Sequence, residues 1–194
     1  MTLTVDNLTQ WMAKFDKKVE DNKQYLSDLD TPIGDGDHGF NMDRGMKAVE
    51  EKLNTKPGDV TTGLKTIAMA LISTVGGASG PLYGTAFLEM MKKSSSTTDM
   101  GELCEAALKG IEMRGGAKPG DKTMVDVWDK LVPAVKDGSF NQEKIDQAVL
   151  ATKPMIAHKG RASYLGERSK GHIDPGSQSS GYLFSAMLET EGLL

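Results

Sequence analysis

The residues best equipped for chemistry crowd into one stretch, "LDTPIGDGDHGFNMDRG" at 29–45. It holds four aspartates, four glycines, a histidine and an asparagine, and leaves no room for a hydrophobic face. Asp30, Asp35 and Asp37 fall within eight residues of one another on a glycine-permissive backbone. Clustered carboxylates on such a loop suit hard cations, and Mg2+ is the usual guest when phosphates complete its shell. Two such ions can clamp a transferring phosphoryl group. "DLD" by itself reads more readily as a solvated turn. The addition of Asp35, Gly36, Asp37 and His38 turns the balance towards metal.

Two more loops carry chemistry. "GGASGPLYG" at 76–84 runs into a helix, with Pro81 near the first turn, so its backbone N–H groups form a natural seat for phosphate oxygens. Taken alone, the same glycines would equally serve a tight helix–helix connection. "KGRASYLGERSKGHIDPG" at 159–176 brings Arg161 and Arg168, which can neutralise phosphate charge. Arg114, Arg168 and Glu167 also suit surface ion pairs, and His158 and His172 read as ordinary histidines, either on the surface or supporting residues that touch a ligand. Three familiar motifs are imitated and fail. "GDGDHG" at 34–39 matches a dinucleotide fingerprint, but a helix and not a strand precedes it. As a calcium loop, the same segment has Gly39 at the fifth ligand position and Met46 at the twelfth, where a bidentate Glu belongs. "GGAKPGDKT" at 115–123 differs from a Walker A sequence by an inserted Asp121, and again follows a helix.

The elements that must position these loops read as helices. Leu8, Trp11, Met12, Phe15, Val19 and Leu26 recur at helical spacing over 6–27, with Asp6 as expected N-cap. Leu64, Ile67, Ala68, Leu71, Ile72 and Val75 form a second stripe. Leu103, Ala106, Ala107 and Ile111, then Ile145, Ala148 and Val149, then Leu183, Met187 and Leu188 repeat it more loosely. Segments 41–53, 81–93 and 124–136 also favour helix, the last with Pro133 predicting a kink or an early end. Met124 and Trp128, at i and i+4, fall by default in the core. About eight helices and almost no alternating run predict an all-α fold with antiparallel neighbours, in a single domain spanning 1–194.

Composition narrows the function classes. With 194 residues, 38% hydrophobic and 26% charged, the chain has the makeup of a soluble globular domain with a proper core. A net charge of -4 provides no basic face for nucleic acid. One cysteine, Cys104, excludes a disulfide framework and fits a reducing cytoplasm. The opening "MTLTVDNLTQW" lacks the pattern of a signal peptide, and the apolar run "IAMALISTV" is too short to span a membrane. A cytoplasmic location is expected.

Together "LDxxIGDGDHGxNMxRG", "VGGASGPLYGT", "GDKTMVDVW" and "KGRASYLGERSxGHxDPG" resemble the nucleotide-binding L subunits of bacterial dihydroxyacetone kinases. These subunits are homologous to the C-terminal domain of single-chain, ATP-dependent dihydroxyacetone kinases. The resemblance runs from the first helix nearly to the C-terminus. It implies an eight-helix antiparallel barrel with Mg-nucleotide in loops at one rim. Asp30, Asp35 and Asp37 match the aspartates that bind two Mg2+ ions. His38, Gly39, Phe40 and Asn41 match the segment contacting the phosphates, Phe40 standing at a position where the family varies. Ala78 and Ser79 match the phosphate loop, and Gly115 and Met124 match the nucleoside pocket, which overrides the core placement of Met124. Arg161 and the run Asp174, Pro175, Gly176 match the loop that closes over the nucleotide.

The resemblance also implies partners. The family holds dihydroxyacetone covalently on a histidine of a separate K module, and the motifs of this chain include none of it. A free-standing L chain resembles the version dependent on the phosphotransferase system. There ADP is the cofactor, a phosphohistidine on an M subunit supplies the phosphoryl group, and the resulting ATP phosphorylates dihydroxyacetone on the K subunit. No nucleophilic side chain is needed from this chain. Three alternatives stay open: a kinase using exchangeable ATP, one acting on another small ketose or polyol, and a regulatory binding module.

Overall fold

The computed structural model describes residues 2–194. Eight α-helices follow one another: α1 Val5–Asp30, α2 His38–Leu53, α3 Val60–Thr74, α4 Ser79–Ser94, α5 Met100–Gly115, α6 Met124–Asp137, α7 Gln142–Leu150 and α8 Pro175–Leu188. A 3-10 stretch, Arg161–Ser169, lies between α7 and α8. Among the described residues no strand forms, and the single bridge pairs Thr2 with Asp99. The all-α class expected from the sequence is the one observed. No helix of the described residues is long and apolar enough to cross a membrane.

Apolar periodicity drives the packing. Helices adjacent in the chain pack against each other, and α8 packs on α6, α7 and α1. Their inner stripes merge into one core that includes Trp11, Phe15, Tyr83, Phe87, Trp128 and Phe184, all at most 1% exposed. The core contains a small polar seam. The Trp128 indole N–H donates to Ser180 Oγ at 3.0 Å, and Tyr83 Oη lies 3.0 Å from the same hydroxyl and 2.7 Å from Ser179 Oγ. Buried polar groups persist only when bonded, so this seam fixes how α8 sits against α4 and α6.

Three local expectations are corrected. The first helix starts at Thr4, not Asp6. The Thr4 hydroxyl accepts the Asn7 N–H while Asn7 Oδ1 accepts the Thr4 N–H, a reciprocal capping box. Asp6 falls in the first turn, where its charge still suits the helix dipole. Ile72 is 40% exposed, because it lies at the edge of its stripe and leans over Gly84 of α4. A Cβ at Gly84 would sit 2.2 Å from Ile72 Cγ1. Helix α6 runs through Pro133 to Asp137 and stops at Gly138, whose φ of 75° no bulky residue adopts easily. The carbonyl that Pro133 leaves unbonded belongs to the half-exposed Asp129, within reach of solvent.

Candidate functional site

The acidic loop is built on one carboxylate. Asp30 is the last residue of α1, and its Oδ2 accepts three backbone N–H groups, from Gly36 at 2.9 Å, Asp37 at 3.1 Å and His38 at 3.3 Å. Its Oδ1 fills the space beside Gly34, where a Cβ would lie 1.9 Å away. Gly36 turns the chain with φ of 76°. Wrapped in this way, the loop turns back on Asp30, and one oxygen each from Asp30, Asp35 and Asp37 lie within 4.8 Å of one another. Asp30 is buried, while Asp35 and Asp37 are exposed. Three carboxylates converging at this spacing, two of them open to solvent, fit the donor set of a hard divalent cation.

These aspartates line a cavity of about 410 Å³ to which all three motif-bearing loops contribute. Opposite them is the start of α4. Six of the eight α-helices carry a side-chain N-cap, but α2 and α4 do not. At α2 the first amides are taken by Asp30 Oδ2 and, through Gly39 N–H, by Ser27 Oγ. At α4 the Ala78 and Ser79 backbone meets the cavity with no side chain over it. Such a terminus favours anions through its free N–H groups and its dipole. Gly76 makes room for Asn41, whose side-chain atoms would lie 2.9–3.0 Å from a Cβ there. Asn41 Oδ1 in turn accepts from Arg44 at 2.6 Å.

His38 joins the acidic loop to the core seam. Its Nδ1 lies 3.1 Å from Ser79 Oγ, and its Nε2 lies 2.9 Å from Ser179 Oγ. Burial pushes its pKa down to about 4, against the upward pull of Asp37 and Asp35. The imidazole is therefore neutral at pH 7. It adds no positive charge to offset a phosphate and instead orients the Ser79 hydroxyl.

The cavity gathers most of the residues singled out from the sequence. Asp30, Asp35, Asp37, His38, Asn41, Ala78, Ser79, Gly115, Met124, Arg161, Asp174, Pro175 and Gly176 all line it. Met124 belongs at once to the hydrophobic core and to the cavity wall. Leu82, Ile111, Ala117 and Val125 complete an apolar wall. Asp174 is the N-cap of α8, accepting the Ser177 N–H at 2.7 Å, and burial raises its pKa to about 6.

Gly39 and Phe40 do not line the cavity. Gly39 faces α1, where a Cβ would lie 1.9 Å from the Lys23 carbonyl oxygen, so it is glycine for helix packing. Phe40 points outward, 46% exposed. Arg168 is exposed and away from the lining, and Glu167 pairs with Lys170 at 2.7 Å. The cations that do line the cavity are Arg161, Arg114, Lys159 and Lys122. The last two were missed by sequence reasoning. Lys122 sits inside the rejected Walker-like segment.

The DAK2 domain model matches residues 32–189. The chain is 51% identical over 188 residues to the PTS-dependent dihydroxyacetone kinase, ADP-binding subunit DhaL of Lactococcus lactis, covering 96% of this chain and 98% of that one. It is 38% identical to the corresponding PEP-dependent subunit DhaL of Escherichia coli, covering 92% and 93% of the two chains. The crystal structure of the dihydroxyacetone kinase from C. freundii in complex with AMP-PNP and Mg2+ superposes with a TM-score of 0.78 at 22% identity, over 98% of this chain. That likeness is one of fold, and this chain spans 35% of the C. freundii chain. Matched by the family model over most of its length and by a DhaL subunit nearly end to end, the chain belongs to the DAK2 domain family.

Proposed function

We propose that this chain is the ADP-binding subunit of a multi-subunit dihydroxyacetone kinase. In this reading a phosphoryl group passes from a phosphohistidine on an M-type subunit to bound ADP, and from the resulting ATP to dihydroxyacetone held on a K-type subunit. The observation that carries it is the convergence of Asp30, Asp35 and Asp37 within 4.8 Å on a cavity that also contains the uncapped start of α4. Its support beyond geometry is the role of the Lactococcus lactis relative as an ADP-binding subunit.

Each group has a part in this scheme. Asp30, Asp35 and Asp37 would hold two Mg2+ ions, which neutralise and orient phosphates when bound. The α4 N-terminus and the Ser79 hydroxyl, set by neutral His38, would receive the phosphate oxygens. Arg161, Arg114 and Lys159 bring positive charge to the same cavity. Met124, Leu82 and Ile111 offer an apolar wall to the nucleoside, and Asp174, Pro175 and Gly176 border it from α8. No nucleophile is required: the lone thiol, Cys104, is fully buried with its pKa pushed up to about 12.

The purified chain, incubated with Mg-ATP and dihydroxyacetone, should give no dihydroxyacetone phosphate until a K-type subunit is added. Turnover by the isolated chain would overturn the split-enzyme reading.

A further inference from the structure

Lys122 is 1% exposed, a rare condition for a lysine. Its burial is compensated by carbonyls. Nζ donates to Thr152 O at 3.0 Å, Met155 O at 3.2 Å and His172 O at 2.6 Å, with Lys153 O further off at 3.5 Å. Three short bonds use all three donors of an ammonium. Lys122 is also the only non-glycine residue among those described with a positive φ, 59°, a backbone state that side chains disfavour. The fold keeps this strained residue where a glycine would be easier, and what it gains is the ammonium.

The acceptors belong to two separate pieces of chain. Thr152, Lys153 and Met155 follow α7, and His172 precedes α8. Between them runs the segment carrying the 3-10 stretch and, at its start, Arg161. Other bonds close the same base: Gly171 N–H to Lys153 O at 2.8 Å, Ala157 N–H to Ser169 Oγ at 2.9 Å, and His158 N–H to Asp121 O at 3.0 Å. Beyond that base the segment is open to solvent, with Tyr164 87% exposed. Its reach to the acidic loop is the pairing of Arg161 with Asp35 at 2.9 Å.

We propose that Lys122 is a positioning residue: its buried ammonium staples the two stems of segment 156–171 together and so sets where Arg161 stands against the acidic loop. The consequence for ligand rests on the reading of the cavity as a Mg-nucleotide site. The hold on the segment does not. Lys122 acts through Arg161 and does not itself contact the phosphates.

Two variants share the backbone strain and differ in the staple: Lys122→Met removes every donor, and Lys122→Gln keeps two without the charge. Amide hydrogen exchange, measured without nucleotide, should accelerate over 159–170 in Lys122→Met and less in Lys122→Gln, while α1 to α4 exchange as in the parent. Calorimetric titration with Mg-ADP should show Lys122→Met and Arg161→Ala each weakening binding by about tenfold, the scale seen for residues that orient a ligand-contacting group. The double variant should bind no more weakly than the poorer single variant, since both changes remove one interaction. A buried lysine that only stabilised the fold would give multiplicative losses. Unchanged exchange over 159–170, or multiplicative losses, would overturn the proposal. Should Lys122→Met not fold, Lys122→Gln carries the same two comparisons. Should the parent chain bind no Mg-ADP, the nucleotide reading fails, and the exchange data still decide whether Lys122 holds the segment.

Discussion

The guanidinium of Arg161 stands 2.9 Å from the carboxylate of Asp35, joining the late segment to the acidic loop across most of the chain. Both side chains are open to solvent, at 69% and 37% exposure. Such a pair contributes under about 1 kcal/mol to folding, so its significance lies in where it puts a cation.

Arg161→Ala should therefore leave the melting temperature and the helical circular dichroism unchanged while weakening Mg-ADP binding by about tenfold, the scale of a lost charge-assisted hydrogen bond. Equal affinity in titration calorimetry would make Arg161 a surface ion-pair partner and nothing more.

The three aspartates should separate into two kinds. Asp35→Asn and Asp37→Asn lose no backbone bond, so their melting temperatures without ligand should match the parent. Asp30→Ala strips the acceptor from three N–H groups and should cost roughly 1–3 kcal/mol. In the parent, ADP with Mg2+ should raise the melting temperature by several degrees, about 2.7 kcal/mol at a hundredfold excess over Kd. ADP with EDTA should not, because aspartates without metal repel the nucleotide. Protection by ADP in EDTA equal to that with Mg2+ would refute the metal bridge.

Gly39→Ala tests packing against phosphate contact. Its Cβ would meet the Lys23 carbonyl oxygen at 1.9 Å, forcing α1 and α2 apart. A loss of roughly 1–3 kcal/mol or more is expected in urea melts, as for other overpacked positions. A variant with full stability but lost nucleotide binding would return Gly39 to the phosphate site.

Asp16 supplies a pH signature away from the cavity. Burial, and then the nearby Glu50, Glu20 and Asp43 carboxylates, raise its pKa from 3.8 to about 6, and its Oδ1 has no hydrogen-bond partner. The folded state thus holds a proton that the unfolded chain gives up. Its contribution to stability is complete below pH 3.8 and is lost as pH rises through about 6. His38 works in the opposite sense: its pKa falls from 6.5 to about 4, so its contribution is present above pH 6.5 and is lost as pH drops. Asp16→Asn, which mimics the protonated form, should match the parent at pH 4 and melt a few degrees higher at pH 7. Parallel curves across that range would show that Asp16 titrates normally.

The sequence by itself determined the class of this protein. Apolar residues at helical spacing, such as Leu8 to Leu26 and Leu64 to Leu71, specify helices through local geometry, and capping residues set most of their starts. The convergence of Asp30, Asp35 and Asp37 was legible for the same reason, since the three are close in the chain on a glycine-permissive loop. Three-dimensional packing decided what local patterns cannot carry. Gly39 reads as part of a phosphate loop until α1 puts the Lys23 carbonyl against it. Lys122 draws no reading from the sequence, and only the stretch after α7 and the approach to α8 bring their carbonyls around its ammonium. The neutral state of His38, set by its burial between Ser79 and Ser179, is likewise absent from the local sequence. In each case the deciding partner lies elsewhere in the chain, and burial, which sets the electrostatic cost, exists only once the helices have packed.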